Sequence, residues 1–359
     1  MRILHLPAVM TLAAAVVLGF LGAWLRVPLA WVLGPLTATA CASIAGYPVF
    51  APVSGRRLGQ GLVGTSIGLT VTPEALALAL AWSPVMVTTA LVSILLSAAL
   101  SVPFAWAGRV DQRTAFFALT PGGLAEMANI GLRVGAQAEP VAIAHAIRVA
   151  MLVCLMPPLI VALGIDGGLD NPLARIRLTW PETAAALAFG CIGIGVARLL
   201  RFNNPWTIGG ILGAGAATAS GLLAGRMPEM LFALGQFMIG ISIGARFQRE
   251  SLMRLPRVCV GSVVSVIALS VLLFGYAALL SATTGIDLAS AALGSSPGGM
   301  AEMALTAQVL HLNVALVTAF HIVRSFLVNA FMLQFYRGFE QLGFFSLLKM
   351  PPERTANPD

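Results

Sequence analysis

The amino-acid sequence predicts an all-α polytopic membrane protein made of two homologous repeats. Three observations predict it: charge is scarce, apolar runs recur along the chain, and two motif blocks return at one fixed spacing. Charged residues are 10% of the 359 and hydrophobic ones 58%, with a mean hydropathy of +0.91. A soluble domain carries about a quarter charged residues, so this chain has too few to cover a water-facing surface. With lipid as the solvent it does not need them.

The apolar runs, such as 84–107 and 141–163, each suffice at ~1.5 Å per residue to cross a ~30 Å hydrocarbon core. They show little period-two alternation, so they read as helices and not as strands of a barrel. The net charge of +7 would suggest nucleic acid in a soluble protein. Here 20 of the 21 basic residues are Arg, scattered between apolar runs, and read as topology markers. No nucleic-acid partner is expected. The four cysteines (Cys41, Cys154, Cys191, Cys259) lie in or beside apolar segments without a CxxC pair, which implies neither disulfides nor zinc. Residues 1–25 look like a signal peptide, but they have a counterpart in the second half and so belong to the fold.

That counterpart is part of an internal duplication. Residues 59–68 read GQGLVGTSIG and residues 235–244 read GQFMIGISIG, 176 positions apart. TPGGLAEMA at 120–128 returns as SPGGMAEMA at 296–304, again 176 apart. His145, Arg148 and Asp111 return as His321, Arg324 and Asp287 at the same offset, and Arg26 and Trp31 match Arg201 and Trp206 at 175. The predicted units are a first membrane repeat over 1–165, a turn-rich linker over 166–179, a second repeat over 180–346 and a disordered polar tail over 347–359.

Each repeat contains six apolar elements, near 8–25, 28–46, 57–72, 83–107, 114–133 and 140–163, then near 180–198, 205–224, 230–245, 258–281, 289–306 and 312–335. Equivalent loops carry opposite charge. Between elements three and four only the second repeat is basic (Arg246, Arg249, Arg254, Arg257); between elements four and five only the first is (Arg109, Arg113). The repeats should therefore be inverted, which needs an odd number of crossings in each. The fifth element, interrupted by Pro-Gly-Gly, is the candidate to dip in and return. With the amino terminus inside, 15 basic residues then lie inside and 4 outside (Arg26, Arg175, Arg177, Arg226), while Arg148 and Arg324 are intramembrane. This arrangement obeys the positive-inside rule, gives ten crossings and leaves both termini cytoplasmic. A broken helix that crosses, paired with another non-crossing element, stays open.

The interruption carries the chemistry. Thr120 and Ser296 are expected to cap a new helix, with Pro121 and Pro297 at its first position. Gly122, Gly123, Gly298 and Gly299 let backbone bend or approach closely. A helix amino terminus is partly positive and presents unsatisfied N–H groups. Two such termini meeting near the midplane are the arrangement by which secondary transporters hold substrate or ions. Glu126 and Glu302 follow the break; His145, Arg148, His321 and Arg324 lie on the sixth elements. Ionisable groups at apolar depth are costly and mark function. They read either as a proton-carrying and anion-attracting site or as a Glu–Arg pair locking the hairpin onto its neighbour. Gln60 and Gln236 are candidates to line the same cavity. Ser66 and Ser242 favour helix packing, and Asp111 and Asp287 favour helix starts.

Four histidines are too few for a copper or iron oxygenase, and no HExxH, GxSxG or phosphate-binding loop is present. No metal, cofactor or enzymatic activity is expected. The duplicated PGGxAEMA and GQxxxGxSIG blocks with the His-x-x-Arg pair resemble the AbrB-type membrane protein family of Gram-negative bacteria over nearly the whole chain. That family shares only its name with a small soluble DNA-binding regulator. Its members carry the labels ammonia monooxygenase and regulator of gene expression. The resemblance implies a duplicated inner-membrane protein. The reading is a secondary transporter or exporter of a small solute, an organic anion by preference, coupled to protons or sodium, with membrane lipid as its other partner. A membrane ligand sensor that regulates gene expression without transport is the alternative, and an intramembrane oxygenase the third. The sequence leaves homo-oligomerisation open.

Overall fold

The structure, a computed structural model, describes residues 6–162, 164 and 176–344; most of the expected linker and all of the polar tail lie outside these. The first half folds as α1 (Leu6–Trp24), α2 (Ala30–Ile44), α3 (Val53–Gly68), α4 (Pro73–Ala81), α5 (Ser83–Gly108), α6 (Gln112–Leu119), α7 (Leu124–Leu132) and α8 (Ala138–Ala162). The second repeats this order as α9 (Trp180–Leu199), α10 (Pro205–Ala219), α11 (Glu229–Gly244), α12 (Arg249–Arg254), α13 (Pro256–Thr284), α14 (Leu288–Ser295), α15 (Met300–Val309) and α16 (Val314–Gln341). The duplication reaches single dihedral angles. Arg26 and Leu29, between α1 and α2, have φ of +57° and +59°; their equivalents Arg201 and Asn204 have +56° each.

Six helices (α1, α5, α8, α9, α13, α16) are long and apolar enough to span a bilayer. The chain is a multi-pass membrane protein. The helices α2, α3, α10 and α11 have only 15 or 16 residues. The short helices α4 and α12 correct the sequence reading, which placed loops there. Pro73 at the first position and the Thr72 hydroxyl, which accepts from the Ala75 N–H at 3.2 Å, start α4. It turns 94° from α3.

Equivalent helices of the two repeats pack antiparallel. Gly55 and Gly59 of α3 face Met238 and Gly235 of α11, so one chain rises as the other falls. In α5 and α13, Gly108 lies by Val258, Phe104 by Gly261, and Thr89 bonds Tyr276 at 3.1 Å. The same device joins α2 to α11 and α10 to α3: Gly240 and Gly244 press on Val32 and Leu36 as Gly64 and Gly68 press on Thr207 and Ile211. Small residues allow this backbone-to-backbone packing, which supplies the dispersion that lipid cannot.

The helices form two layers. One is a row in the order α1, α2, α11, α3, α10, α9, symmetric about the α3–α11 crossing. The other is built on α5, α8, α13 and α16, and carries the four half-helices.

A candidate site at two re-entrant hairpins

Each fifth element is two half-helices that fold back. Asp111 caps α6, its carboxylate accepting from the Thr114 N–H at 2.8 Å, and Asp287 caps α14 through Ser290 at 2.7 Å, as helix-start residues should. The far end of α7 returns to this point. Gln137 donates its backbone N–H to the Thr114 hydroxyl at 2.8 Å and its side-chain amide to Asp111 at 3.2 Å, and Arg113 donates to the Val134 carbonyl at 3.0 Å. In the second repeat the Asn313 N–H reaches the Ser290 hydroxyl at 3.3 Å. Start and end thus share one side, and the elements are re-entrant hairpins. This geometry decides what the sequence left open.

The expected cap is not where the sequence placed it. Thr120 and Ser296 close the first half-helix: their hydroxyls donate back to Phe116 O at 2.8 Å and Leu293 O at 2.9 Å. Pro121 and Pro297 lie in the break, and the helix-starting residues are Gly123 and Gly299, with φ near −75° and no side-chain cap. These glycines are therefore not needed for a left-handed backbone. They make room. A Cβ on Gly123 would collide with the Glu126 carboxylate, one on Gly299 with that of Glu302, and those on Gly122 and Gly298 with Met127 and Met303. Each glutamate curls back over the positive end of its own half-helix, a favourable place for negative charge.

The arginines do not pair with these glutamates, so the expected Glu–Arg lock is replaced by another. Arg148 is buried and donates to three carbonyls of the break: Leu119 at 3.3 Å, Thr120 at 2.7 Å and Gly122 at 2.8 Å. Arg324 donates to Ser296 O, and to Gly298 O at 2.6 Å. Thr120 O also accepts from the Gly122 N–H at 2.8 Å; the others end the helical ladder without a backbone partner among the described residues, and in a membrane interior such groups must be satisfied by protein. The guanidinium fork also donates to the histidine one turn earlier, His145 Nδ1 at 3.0 Å and His321 Nδ1 at 2.9 Å. Arginine has only donors, so Nδ1 accepts. Nε2 therefore carries the proton and gives it to Phe117 O at 2.9 Å or Leu293 O at 3.0 Å. Both imidazoles are held neutral in one tautomer. A proton on either would break its bond to arginine.

The remaining candidates are dispersed. Gln236 lines a recess with Trp31, Glu229, Met230, Phe232 and Ala233, away from the hairpin tips, and Gln60 is half-buried on α3. Ser66 accepts from the Gln308 amide at 3.0 Å, joining α3 to α15 as a packing contact. Trp206 is flanked by the guanidinium groups of Arg57 and Arg198 at 5.7 and 5.9 Å.

Sequence reasoning missed Arg246. It follows α11, and its charge acts on both Glu126 and Glu302 and on Arg56. Its neighbour Phe247 packs against apolar clusters containing Met127 of one hairpin and Met303 of the other. Both tips thus lie within electrostatic reach of Arg246. The only signal in the sequence was that the block ending at Gly244 is followed by Arg246, whereas its duplicate has Thr70.

The two tips differ in exposure. Gly123 is exposed, whereas Gly299 is half-buried, and α15 packs on α3 while the equivalent α7 makes no comparable contact with α11 among the described residues. Cysteine at position 123, in a chain whose native cysteines are replaced by serine, should react with a small polar methanethiosulfonate several-fold faster than cysteine at 299. Equal rates in labelling time courses would show that the tips are equally open.

Comparison with known proteins agrees with the expected resemblance. The family model described as "Transition state regulatory protein AbrB" matches residues 31–340. The chain is 28% identical over 347 residues to "Uncharacterized protein YhjN" of Bacillus subtilis (strain 168), covering 89% of each. It is 29% identical over 340 residues to "Putative regulator AbrB" of Escherichia coli (strain K12), covering 91% of this chain and 94% of that one. The Bacillus relative carries the resemblance beyond the Gram-negative bacteria. With two duplicated blocks, a family match across most of its length and relatives aligned nearly end to end, the chain belongs to the AbrB family.

Proposed function

We propose that this protein is a secondary transporter of a small organic anion, working in the inner membrane with inverted repeats, ten crossings and both termini cytoplasmic. The observation that carries the reading is a pair of re-entrant hairpins within electrostatic reach of Arg246, each with a glutamate folded over its half-helix amino terminus. The antiparallel packing of equivalent helices supports the inversion.

The arrangement suggests how anion and ion are coupled. The start of α7 or α15 favours a negative charge, and a glutamate already lies there. A substrate carboxylate competes for the same positive end. Two anions cannot share it cheaply, so the glutamate swings away or takes up a proton. Anion entry is then linked to proton entry at Glu126 or Glu302, while the arginine–histidine clamps keep the tip rigid. The layer bearing the hairpins moves against the six-helix row, which buries first one tip and then the other. The half-buried tip of α15 and the exposed tip of α7 fit one end of such a cycle.

The test is flux in proteoliposomes with imposed proton and sodium gradients, across a panel of anionic, neutral and cationic metabolites. Wild type should accumulate an anion, and Glu126→Gln/Glu302→Gln should lose at least 90% of that flux while eluting as a folded species. Wild type that moves no solute would sink the reading. The name of the Escherichia coli relative favours a second one, in which the same site senses a ligand without moving it.

A further inference from the structure

Trp31 and Trp206 stand at equivalent positions, each in the first turn of the second helix of its repeat, but their surroundings differ. The guanidinium carbons of Arg57 and Arg198 lie 5.7 and 5.9 Å from the centre of the Trp206 ring, a cation–π arrangement. The residues equivalent to Arg57 and Arg198 are Ala233 and Ala23. Phe20 meets Trp31 edge-on at 4.9 Å and brings no charge. Where the second tryptophan has arginine, the first has an open recess of about 380 Å³, lined by Trp31, Glu229, Met230, Phe232, Ala233 and Gln236.

This recess holds polar groups that the fold leaves unused. Gln236 is only 5% exposed and has no hydrogen-bond partner among the described residues, and a buried amide without a partner is costly. Glu229, the first residue of α11, stands at the mouth. Its Oε1 accepts from Arg177 at 2.7 Å and from Arg226 at 3.3 Å; its Oε2 has no partner among the described residues. A short backbone pairing brings the two arginines together: the Arg226 N–H donates to Ile176 O at 2.8 Å and the Leu178 N–H to Arg226 O at 3.1 Å. The Arg226 Nε is buried with nothing to bond. Acceptors and an aromatic ring thus line the inside, and cationic donors stand at the rim. Met230 on the rim and Phe20 and Trp24 of the adjoining α1 are exposed. In a membrane protein such apolar surface faces lipid, and tryptophan favours the level of the headgroups.

We infer that this recess binds a phosphoethanolamine group, its ammonium against Trp31 and its phosphate at Arg177 and Arg226, carried by a membrane lipid or by a free solute. The ammonium takes the place that the Arg57 guanidinium fills at Trp206. It has three N–H donors; the Gln236 amide oxygen and the spare Glu229 oxygen take two. The phosphate accepts from the guanidinium groups at the rim. A phosphate without the amine leaves Gln236 and the ring unserved, and a choline group has no N–H to give. The site is separate from the hairpins and does not depend on the transport reading.

The experiment is thermal unfolding of the full chain in detergent micelles doped with phosphatidylethanolamine, phosphatidylcholine or phosphatidylglycerol of the same acyl chains, and separately with free O-phosphoethanolamine or inorganic phosphate. At least one of the two ethanolamine compounds should raise the midpoint in a saturable way, and the other three should not match it. An effect of the lipid alone assigns a headgroup; an effect of the free compound assigns a solute. Ala233→Arg restores the residue of the first repeat and should fill the recess, weakening the apparent Kd at least tenfold in a folded protein. Glu229→Gln and Gln236→Leu should each weaken it severalfold, and Glu229→Gln, at an exposed position, serves if Ala233→Arg does not fold. Arg254→Gln, exposed on α12 beyond the other end of α11, should leave it unchanged. Equal shifts with phosphatidylglycerol and phosphatidylethanolamine would overturn the assignment, as would no shift with either ethanolamine compound or wild-type affinity in the Ala233 and Glu229 variants. Flux through the hairpins is judged separately, since none of these substitutions touches Glu126 or Glu302.

Discussion

Arg148→Ala should unfold the first hairpin and with it much of the protein. The guanidinium satisfies three carbonyls of the break and the imidazole of His145. Its removal takes the only side-chain donor from the Leu119 and Gly122 carbonyls and from His145 Nδ1, while Thr120 O keeps the Gly122 N–H. Removing one partner of a buried charged network costs about 3–5 kcal/mol. At about 2 °C per kcal/mol for a large chain, the midpoint of heat-induced loss of the monodisperse peak should fall by roughly 6–10 °C. Arg148→Lys should recover only part of this, because one ammonium cannot reproduce a fork that reaches Thr120, Gly122 and His145 together. Arg324→Ala should behave alike. His145→Gln should be milder, since an amide can accept from the arginine and donate to Phe117 O. If Arg148→Ala melts like wild type, the clamp is not what holds the break.

The second large effect is expected in the six-helix row. A Cβ at Gly64 would lie 2.5 Å from the Thr207 carbonyl oxygen and 3.1 Å from its Cα, and Gly240 faces the Val32 carbonyl in the equivalent contact. The obstacle is backbone, which cannot rotate away as a side chain can. Gly64→Leu and Gly240→Leu must therefore push α10 off α3, or α2 off α11. Overpacking costs about 1–3 kcal/mol where side chains can adjust, occasionally more, and here they cannot. Little folded protein should be recovered by size-exclusion chromatography. Gly195→Leu is the control. It lies on the neighbouring helix α9 with open space where its Cβ would be, and it should fold like wild type. If the three variants behave alike, the glycine contacts are not what joins the row.

Both expectations start from features the sequence displays and end on partners it does not. The offset of 176 between the two halves announced the duplication, and Thr120-Pro121-Gly122-Gly123 with its repeat announced where each fifth element breaks. Asp111 and Asp287 could be read as helix starts because a cap bonds a backbone three residues on, within reach of any local reading. Short helices such as α4 and α12 were missed because two turns of apolar or mixed sequence carry little periodic signal.

By itself the sequence determined the membrane class, the repeat, the position of the breaks and the residue types that gather at them. These follow from composition, hydrophobic length and local spacing, which one strand of sequence contains in full. Only the tertiary structure decided what those residues do. Arg148 meets carbonyls 26–29 residues away and so serves the backbone, not a glutamate. The glycines of the break admit a carboxylate instead of a left-handed turn. Gly55 and Gly59 meet Met238 and Gly235 because α3 and α11 cross antiparallel. A charge's role depends on what lies within a few ångströms of it, and packing sets those neighbours across sequence separations that no motif records.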